Sequence, residues 1–300
     1  MFSTRSGASK LSLAVVIGLI VLKVVVGVIT GSISVLAQAA DSFLDLFAVA
    51  IIFFAISIAI KPADEKHPFG HGKVENIAAI VQAMFIFIAG GLIIYSAVLR
   101  IIMETTIALT EAGIGVMVVS IIASIFLSRH LLRVSKATDS IALQAAAHNI
   151  AADVYSAAAV LAGLVAIRFT GLNILDPIIA ILVALFILKV SYDVFRKSFG
   201  GLIDIKLPEA EEAEIKSCII EHYSSVVSFH ELRTRKAGSQ RYIDLHLVMP
   251  KDASVEEAHR MCDHLEQDIK DRVPHTSVTI HVEPCGIECD QCTVICNLRR

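Results

Sequence analysis

The sequence predicts a membrane α-helical domain of six transmembrane helices, followed by a C-terminal cytoplasmic α/β sandwich with the element order αββαβ. Three observations carry that expectation. Of the 300 residues, 55% are hydrophobic and the mean hydropathy is +0.71, which soluble domains rarely reach. The apolar residues gather in long runs over the first two thirds, each long enough to cross a bilayer that about 20 helical residues span. From Gly201 onward the composition turns charged and mixed, as expected of a separate soluble unit. The expected division is residues 1–200 for the bundle, 201–284 for the soluble domain and 285–300 for a cysteine-rich tail. A formal net charge of −3 makes no overall case for a nucleic-acid partner.

The spans fall at about 11–30, 33–60, 77–101, 106–128, 140–167 and 171–192. The first follows Arg5 and Lys10, and Ala37-Gln38-Ala39 resembles a leader cleavage site. Yet the apolar run from Leu11 to Thr30 exceeds the roughly 7–15 residues of a leader's apolar core, so it reads as a retained helix. Lys23 within it either snorkels toward an interface or finds an acidic partner. The links differ in charge. Thr30-Gly31-Ser32 carries none and Arg168–Asn173 a single arginine. The 2–3 link holds Lys61, Lys66 and Lys73, and the 4–5 link Arg129, Arg133 and Lys136. Lys189, Arg196 and Lys197 follow at the end of the sixth span. The positive-inside rule then puts both termini in the cytoplasm of an inner or plasma membrane.

Few polar residues interrupt the spans. Asp41 and Asp45 in the second are four apart, as are Asn149 and Asp153 in the fifth, and i and i+4 share a helix face. An ionised Asp at mid-membrane costs about 2.5–3.5 kcal/mol on insertion scales, so such a pair needs a proton, a cation or a partner. At 1.5 Å per residue, Asp45 and Asp153 lie roughly 18 and 24 Å from the outer ends of their spans. The two pairs therefore meet at similar depth and form a candidate cation site. His148 lies about 140° around the helix from Asp153 and is expected to face another helix or a solvated cavity.

The 2–3 link reads Asp64-Glu65-Lys66-His67-Pro68-Phe69-Gly70-His71-Gly72-Lys73. Asp64, His67 and His71 have metal-ligand chemistry, and the proline and glycines favour a compact turn. In the soluble domain, Pro208 to about Ser224 reads as an acidic-start helix. Val227–Arg235 and Arg241–Met249 read as strands around a Gly238 turn. Ser254–Arg272 is a helix with Ser254 as N-cap and Glu257 at the capping-box position, and Thr276–Glu283 is a third strand. Strand alternation puts Ile243, Leu245, Leu247 and Met249 on one face, with His246 and His281 leaving the core side. His230 and His259 are candidates to join them. The tail carries Cys285, Cys289, Cys292 and Cys296. Thiols stay reduced in the cytoplasm, so metal is favoured over disulfides; Zn²⁺, Cu⁺ or an iron–sulfur cluster all suit the spacing, and a disordered thiol-rich tail is the alternative. Cys218 and Cys262 lie on amphipathic helices as ordinary core residues.

The chain resembles the cation diffusion facilitators, proton-coupled exporters of divalent metals. The resemblance rests on Ser32-Ile33-Ser34-Val35-Leu36, Ala40-Asp41-Ser42 and Asp45, Pro62-Ala63-Asp64, His67, Phe69-Gly70-His71-Gly72-Lys73, Glu75, Asp153 and His230-Glu231-Leu232-Arg233-Thr234-Arg235. It implies a ferredoxin- or metallochaperone-like cytoplasmic sandwich and a homodimer in a lipid bilayer, alternating between inward- and outward-facing states. It implies a transport site at Asp41, Asp45, Asn149 and Asp153 and a second site at Asp64, His67 and His71. A cytoplasmic regulatory metal site would use His230, His246, His259, His281 and Glu283, and Lys73 and Asp204 would form an ion pair joining the domains across the dimer. Zn²⁺, Mn²⁺ or Fe²⁺ would be substrate and regulator, with protons as counter-ion.

Two departures matter. Zinc-type members have His where this chain has Asn149, so the transport site becomes all oxygen, which suits harder ions such as Mn²⁺ and Fe²⁺. Glu283 stands where Asp is common. The cysteine tail lies outside the family pattern. A rival reading is a membrane-anchored metal sensor or scaffold working through the His-rich domain and tail; the carboxylates within the spans argue against it, since an anchor does not need them. An intramembrane enzyme finds no support, because the sequence has no H-E-x-x-H or G-x-S-x-G arrangement.

Overall fold

The computed structural model describes residues 3–30, 33–103, 111–170, 174–222 and 226–286, and their side chains except at 30, 33–38, 40, 41, 44, 111–114, 160–169 and 176. It divides into two compact units, Met1–Gly200 and Gly201–Arg300.

The first unit is built from α1 (Arg5–Thr30), α2 (Ile33–Ala59), α3 (Lys73–Met103), α4 (Glu111–Thr138), α5 (Ile141–Thr170) and α6 (Leu175–Leu202). Each expected span coincides with one helix. Among the described residues, four stretches are long and apolar enough to cross a membrane: Arg5–Ile29, Lys73–Met103, Gly115–Thr138 and Pro177–Leu202. In α2 the described apolar stretch is the shorter Asp45–Ala59. Large apolar side chains such as Val28, Ile29, Phe54, Ile88, Leu92, Phe126 and Leu182 point outward. This is the arrangement a hydrocarbon surround stabilises and water does not.

The helix ends depart from the hydropathy reading. Helix α4 continues through Arg129, Arg133 and Lys136 to Thr138 instead of stopping near 128, and α6 continues to Leu202 instead of 192. Arg and Lys are good helix formers, and the same turns bury Leu131, Val134, Val194 and Ser198. Hydropathy marks the apolar middle of a helix, whereas packing sets its end. Inside the bundle, Ala55, Ala78, Ala142, Ala146 and Ala147 are interleaved with Ile52, Ile56, Leu131 and Leu143, small residues letting helix backbones approach closely.

A polar knot ties the starts of three helices. Glu75, in the first turn of α3, is fully buried and pairs with Arg5 Nη1 at 3.0 Å. Ser140 Oγ donates to its other carboxylate oxygen at 2.6 Å and accepts from Leu143 N in the first turn of α5. Next door, Asn76 Nδ2 donates to the Ser198 carbonyl of α6 at 3.1 Å. The buried carboxylate is thus satisfied at both oxygens, without which its burial would cost several kcal/mol.

The second unit contains α7 (Glu209–Glu221), β1 (Ser228–Ala237), β2 (Gln240–Met249), α8 (Val255–Arg272) and β3 (Thr276–Pro284). The sheet order is β1-β2-β3, with β1 antiparallel and β3 parallel to β2. Gly238, at φ +62°, takes the first position of a two-residue hairpin loop, where glycine meets no steric cost. The parallel pair requires a crossover, and α8 supplies it. The expected capping box forms: Glu257 N donates to Ser254 Oγ at 3.2 Å and Ser254 N to Glu257 Oε2 at 2.8 Å. That backbone N–H holds the Glu257 carboxyl below its ordinary value. Ile243, Leu245, Leu247 and Met249 of β2 are buried against Ile215 and Ile219 of α7 and Leu265 and Ile269 of α8. Cys218 shares that core, where burial pushes its thiol up, and Cys262 packs at its edge.

Candidate metal centres

A cavity of about 340 Å³ opens among α1, α2, α4 and α5. Helix α2 contributes Ser42, Asp45 and Val49, and α5 contributes Asn149, Asp153 and Ala157. Each set follows the i, i+3/i+4 repeat of one helix face. Asn149 is buried, and Asp153 is exposed to the cavity space. Lys23 of α1, Ser120 and Ser124 of α4 and Ser156 of α5 complete the polar lining. Lys23 Nζ donates to Ser42 Oγ at 2.6 Å, and Asp153 feels the charges of both Asp45 and Lys23. The volume is enough for about ten waters at their liquid share of roughly 30 Å³ each, so a partly hydrated ion fits. Carboxylate, amide and hydroxyl oxygens make a hard donor set.

Three of the four residues expected at this site are therefore brought together. The side chain of Asp41 lies outside the described residues. His148 is not part of the cavity; it lines a small separate cleft with Ile86 of α3, Tyr155 of α5 and Phe186 and Ser191 of α6. The oxygen character of the Asp45–Asn149–Asp153 cluster thus does not hide an imidazole one residue away. Sequence reading left Lys23 with two destinations and overlooked the serines. Ser120 and Ser124, four apart on α4, were the available signal.

The 2–3 link folds as the spacing suggests. Asp64 and His67 exchange backbone hydrogen bonds at 3.2 and 3.1 Å, and Gly70 adopts φ +76°, which a glycine takes readily. Asp64 Oδ1 lies 3.1 Å from His67 Nδ1 and Asp64 Oδ2 lies 3.4 Å from His71 Nε2. The three side chains each present a ligand atom within 4.8 Å of the others. His71 Nδ1 is buried and makes no hydrogen bond. The backbone N–H of His67, with the His67 ring and the N–H of Lys66, holds the Asp64 carboxyl below its ordinary value.

In the sandwich, strand register builds a row. His230 pairs with His246 and His246 with His281, so three imidazoles cross three strands on the face away from the core. Their ring centroids are 5.2 Å and 4.8 Å apart, close to the strand spacing. Glu283, two residues beyond His281, sits among them. Its Oε1 is 2.9 Å from His246 Nδ1 and 3.8 Å from His281 Nε2, and its Oε2 is 3.3 Å from His230 Nε2. A bulge between His230 and Arg233 puts Glu231 at φ +50° and its carboxylate 3.8 Å from His246 Nε2.

His259 does not join this row. Helix α8 packs Leu265 and Ile269 against the opposite face of β2, and His259 is exposed beside Asp263 at 3.7 Å. Asp204, the expected partner of Lys73 across a dimer, lies 3.5 Å from Arg235 of its own unit. Of the four tail cysteines, Cys285 is described, as a free thiol; Cys289, Cys292 and Cys296 lie outside the described residues.

Comparison with known proteins agrees with this architecture. The cation efflux transmembrane domain matches residues 9–203, and the cytoplasmic domain of cation efflux proteins matches residues 207–285. An uncharacterized transporter, sll1263, from Synechocystis is 34% identical over 85% of this chain and 83% of its own. The cation-efflux pump FieF of Salmonella typhi is 32% identical over 94% of this chain and 93% of its own. Among solved structures, the metal-bound C-terminal domain of the CzcD transporter from Thermotoga maritima is 24% identical. It covers 27% of this chain and 100% of that one, with a TM-score of 0.25.

Proposed function

This chain belongs to the cation diffusion facilitator family of metal cation efflux transporters, and on that footing we propose that it exports a divalent metal from the cytoplasm in exchange for protons. The observation that carries the reading is the convergence of Asp45, Asn149 and Asp153 on one cavity between helices. Asp41, one turn from Asp45, completes the ligand set in this reading. Metal entering from the cytoplasm displaces protons from the carboxylates, because the two compete for the same oxygens. The outward-facing state releases the metal, and returning protons neutralise the site for the journey back.

In the same reading all six helices cross the membrane with both termini in the cytoplasm. The lysines and arginines of the 2–3 and 4–5 links support that orientation. Two copies associate through the cytoplasmic domain, and Lys73 of the bundle and Asp204 of the sandwich pair across the dimer. The His230–His246–His281–Glu283 group senses cytoplasmic metal, and Asp64, His67 and His71 hold a further ion. The tail cysteines bind Zn²⁺, Cu⁺ or an iron–sulfur cluster in the same reading. The cargo is Mn²⁺ or Fe²⁺ in preference to Zn²⁺, because the described residues of the cavity lining offer oxygen and no imidazole. Zn²⁺ accepts carboxylate oxygen and is transported less well.

The test is metal uptake into proteoliposomes with an imposed pH gradient. Uptake of Mn²⁺ is expected to rise when the lumen is acidic and to fall when an ionophore collapses the gradient. Uptake indifferent to the gradient would contradict proton exchange.

A further inference from the structure

The family reading does not use Lys23, although it lies in the same cavity as the carboxylates. Lys23 is seven residues from the end of α1 at Thr30, and a snorkelling lysine would extend toward that end. Instead its ammonium turns to α2 and donates to Ser42 Oγ at 2.6 Å. The groups around it come from three helices. Helix α2 presents Ser42 and Asp45, α4 presents Ser120 and Ser124 with no charge, and α5 presents Asn149, Asp153 and Ser156. A cation has thus been built into a space whose other charges are carboxylates.

We propose that Lys23 is a fixed counter-charge of the transport cavity, weakening the hold of the carboxylates on the metal so that the ion is released. The inference rests on the reading that this cavity carries the metal. A carboxylate cluster among apolar helices is costly without a cation. In the empty cavity the tethered ammonium fills that role. When a divalent ion enters, it meets both the attraction of Asp45 and Asp153 and the repulsion of the ammonium. At the short distances and reduced dielectric of such a cavity, that repulsion is large. Transport needs binding favourable enough for entry and weak enough for exit, and a resident positive charge adjusts that balance without altering any ligand.

Substitution separates charge from packing. Lys23→Gln keeps a donor for Ser42 and removes the charge; Lys23→Arg keeps the charge. In Mn²⁺ uptake by proteoliposomes of the full chain, Lys23→Gln is expected to lower KM about tenfold or more and to lower the maximal rate as release slows. Lys23→Arg keeps the positive charge and should stay within about twofold of wild type on both. A packing role alone would raise KM in Lys23→Gln. An unchanged or raised KM in Lys23→Gln, or equal behaviour of the two variants, overturns the proposal and leaves the transport reading standing. Wild-type uptake unaffected by Asp153→Ala would instead overturn the transport reading, and the role of Lys23 with it.

Discussion

Asp153→Ala is expected to cut metal flux by more than about 100-fold while the protein still folds and inserts. Asp153 presents its carboxylate to the cavity, in a space shared with the charges of Asp45 and Lys23. Losing an outer hydrogen-bond partner of a metal ligand already costs about 10–100-fold. Removing the ligand itself, and a negative charge beside a divalent ion, costs more. Truncation to alanine removes a group from the lining of an open cavity and leaves buried neighbours such as Ile150 in place, so folding is not at risk. Asp45→Ala should behave alike from the α2 side. Flux assays on both, beside gel-filtration profiles matching wild type, check this. Wild-type rates in both variants would remove the cavity from the transport path.

The second large effect is on selectivity. By the family resemblance, Asn149 stands where zinc-type members usually have His, and its neighbour His148 lines a different cleft. The cavity therefore has no imidazole among its described lining residues. Asn149→His is expected to move the ratio of Zn²⁺ to Mn²⁺ flux about tenfold toward Zn²⁺, because nitrogen favours the borderline ion over the hard one. It also adds a group that ordinarily titrates near pH 6.5, so transport by the variant should become steeply pH-dependent near neutrality. A competitive assay with Zn²⁺, Mn²⁺, Fe²⁺ and Co²⁺ measures both. An unchanged order of metals would mean that Asn149 does not choose the cargo.

These expectations were legible to different depths. Two residues four apart share a helix face whatever surrounds them, so the pairing of Asn149 with Asp153 could be read directly. Strand alternation likewise put His246 and His281 on one face, and the register His230–His246–His281 completed the row. The orientation of one helix against another could not be read in this way. Lys23 had two plausible destinations until α1 was seen packed against α2, and His148 was placed by its cleft with α6. The place of His259, apart from the row within its own chain, was hidden likewise: helix periodicity says which side of α8 it occupies, whereas core packing decides which face of the sheet α8 covers. Helix ends were missed in α4 and α6 because charge ends a hydropathy window without ending a helix.

The central claim is that a divalent metal sits among Asp45, Asn149 and Asp153. Anomalous scattering from crystals grown with Mn²⁺ tests it most directly. The account predicts a manganese peak inside the α1–α2–α4–α5 cavity, within bonding distance of Asp45 and Asp153, that disappears in Asp153→Ala. Manganese found at Asp64–His67–His71 or at the His230–His246–Glu283 group, with none in the cavity, would contradict it.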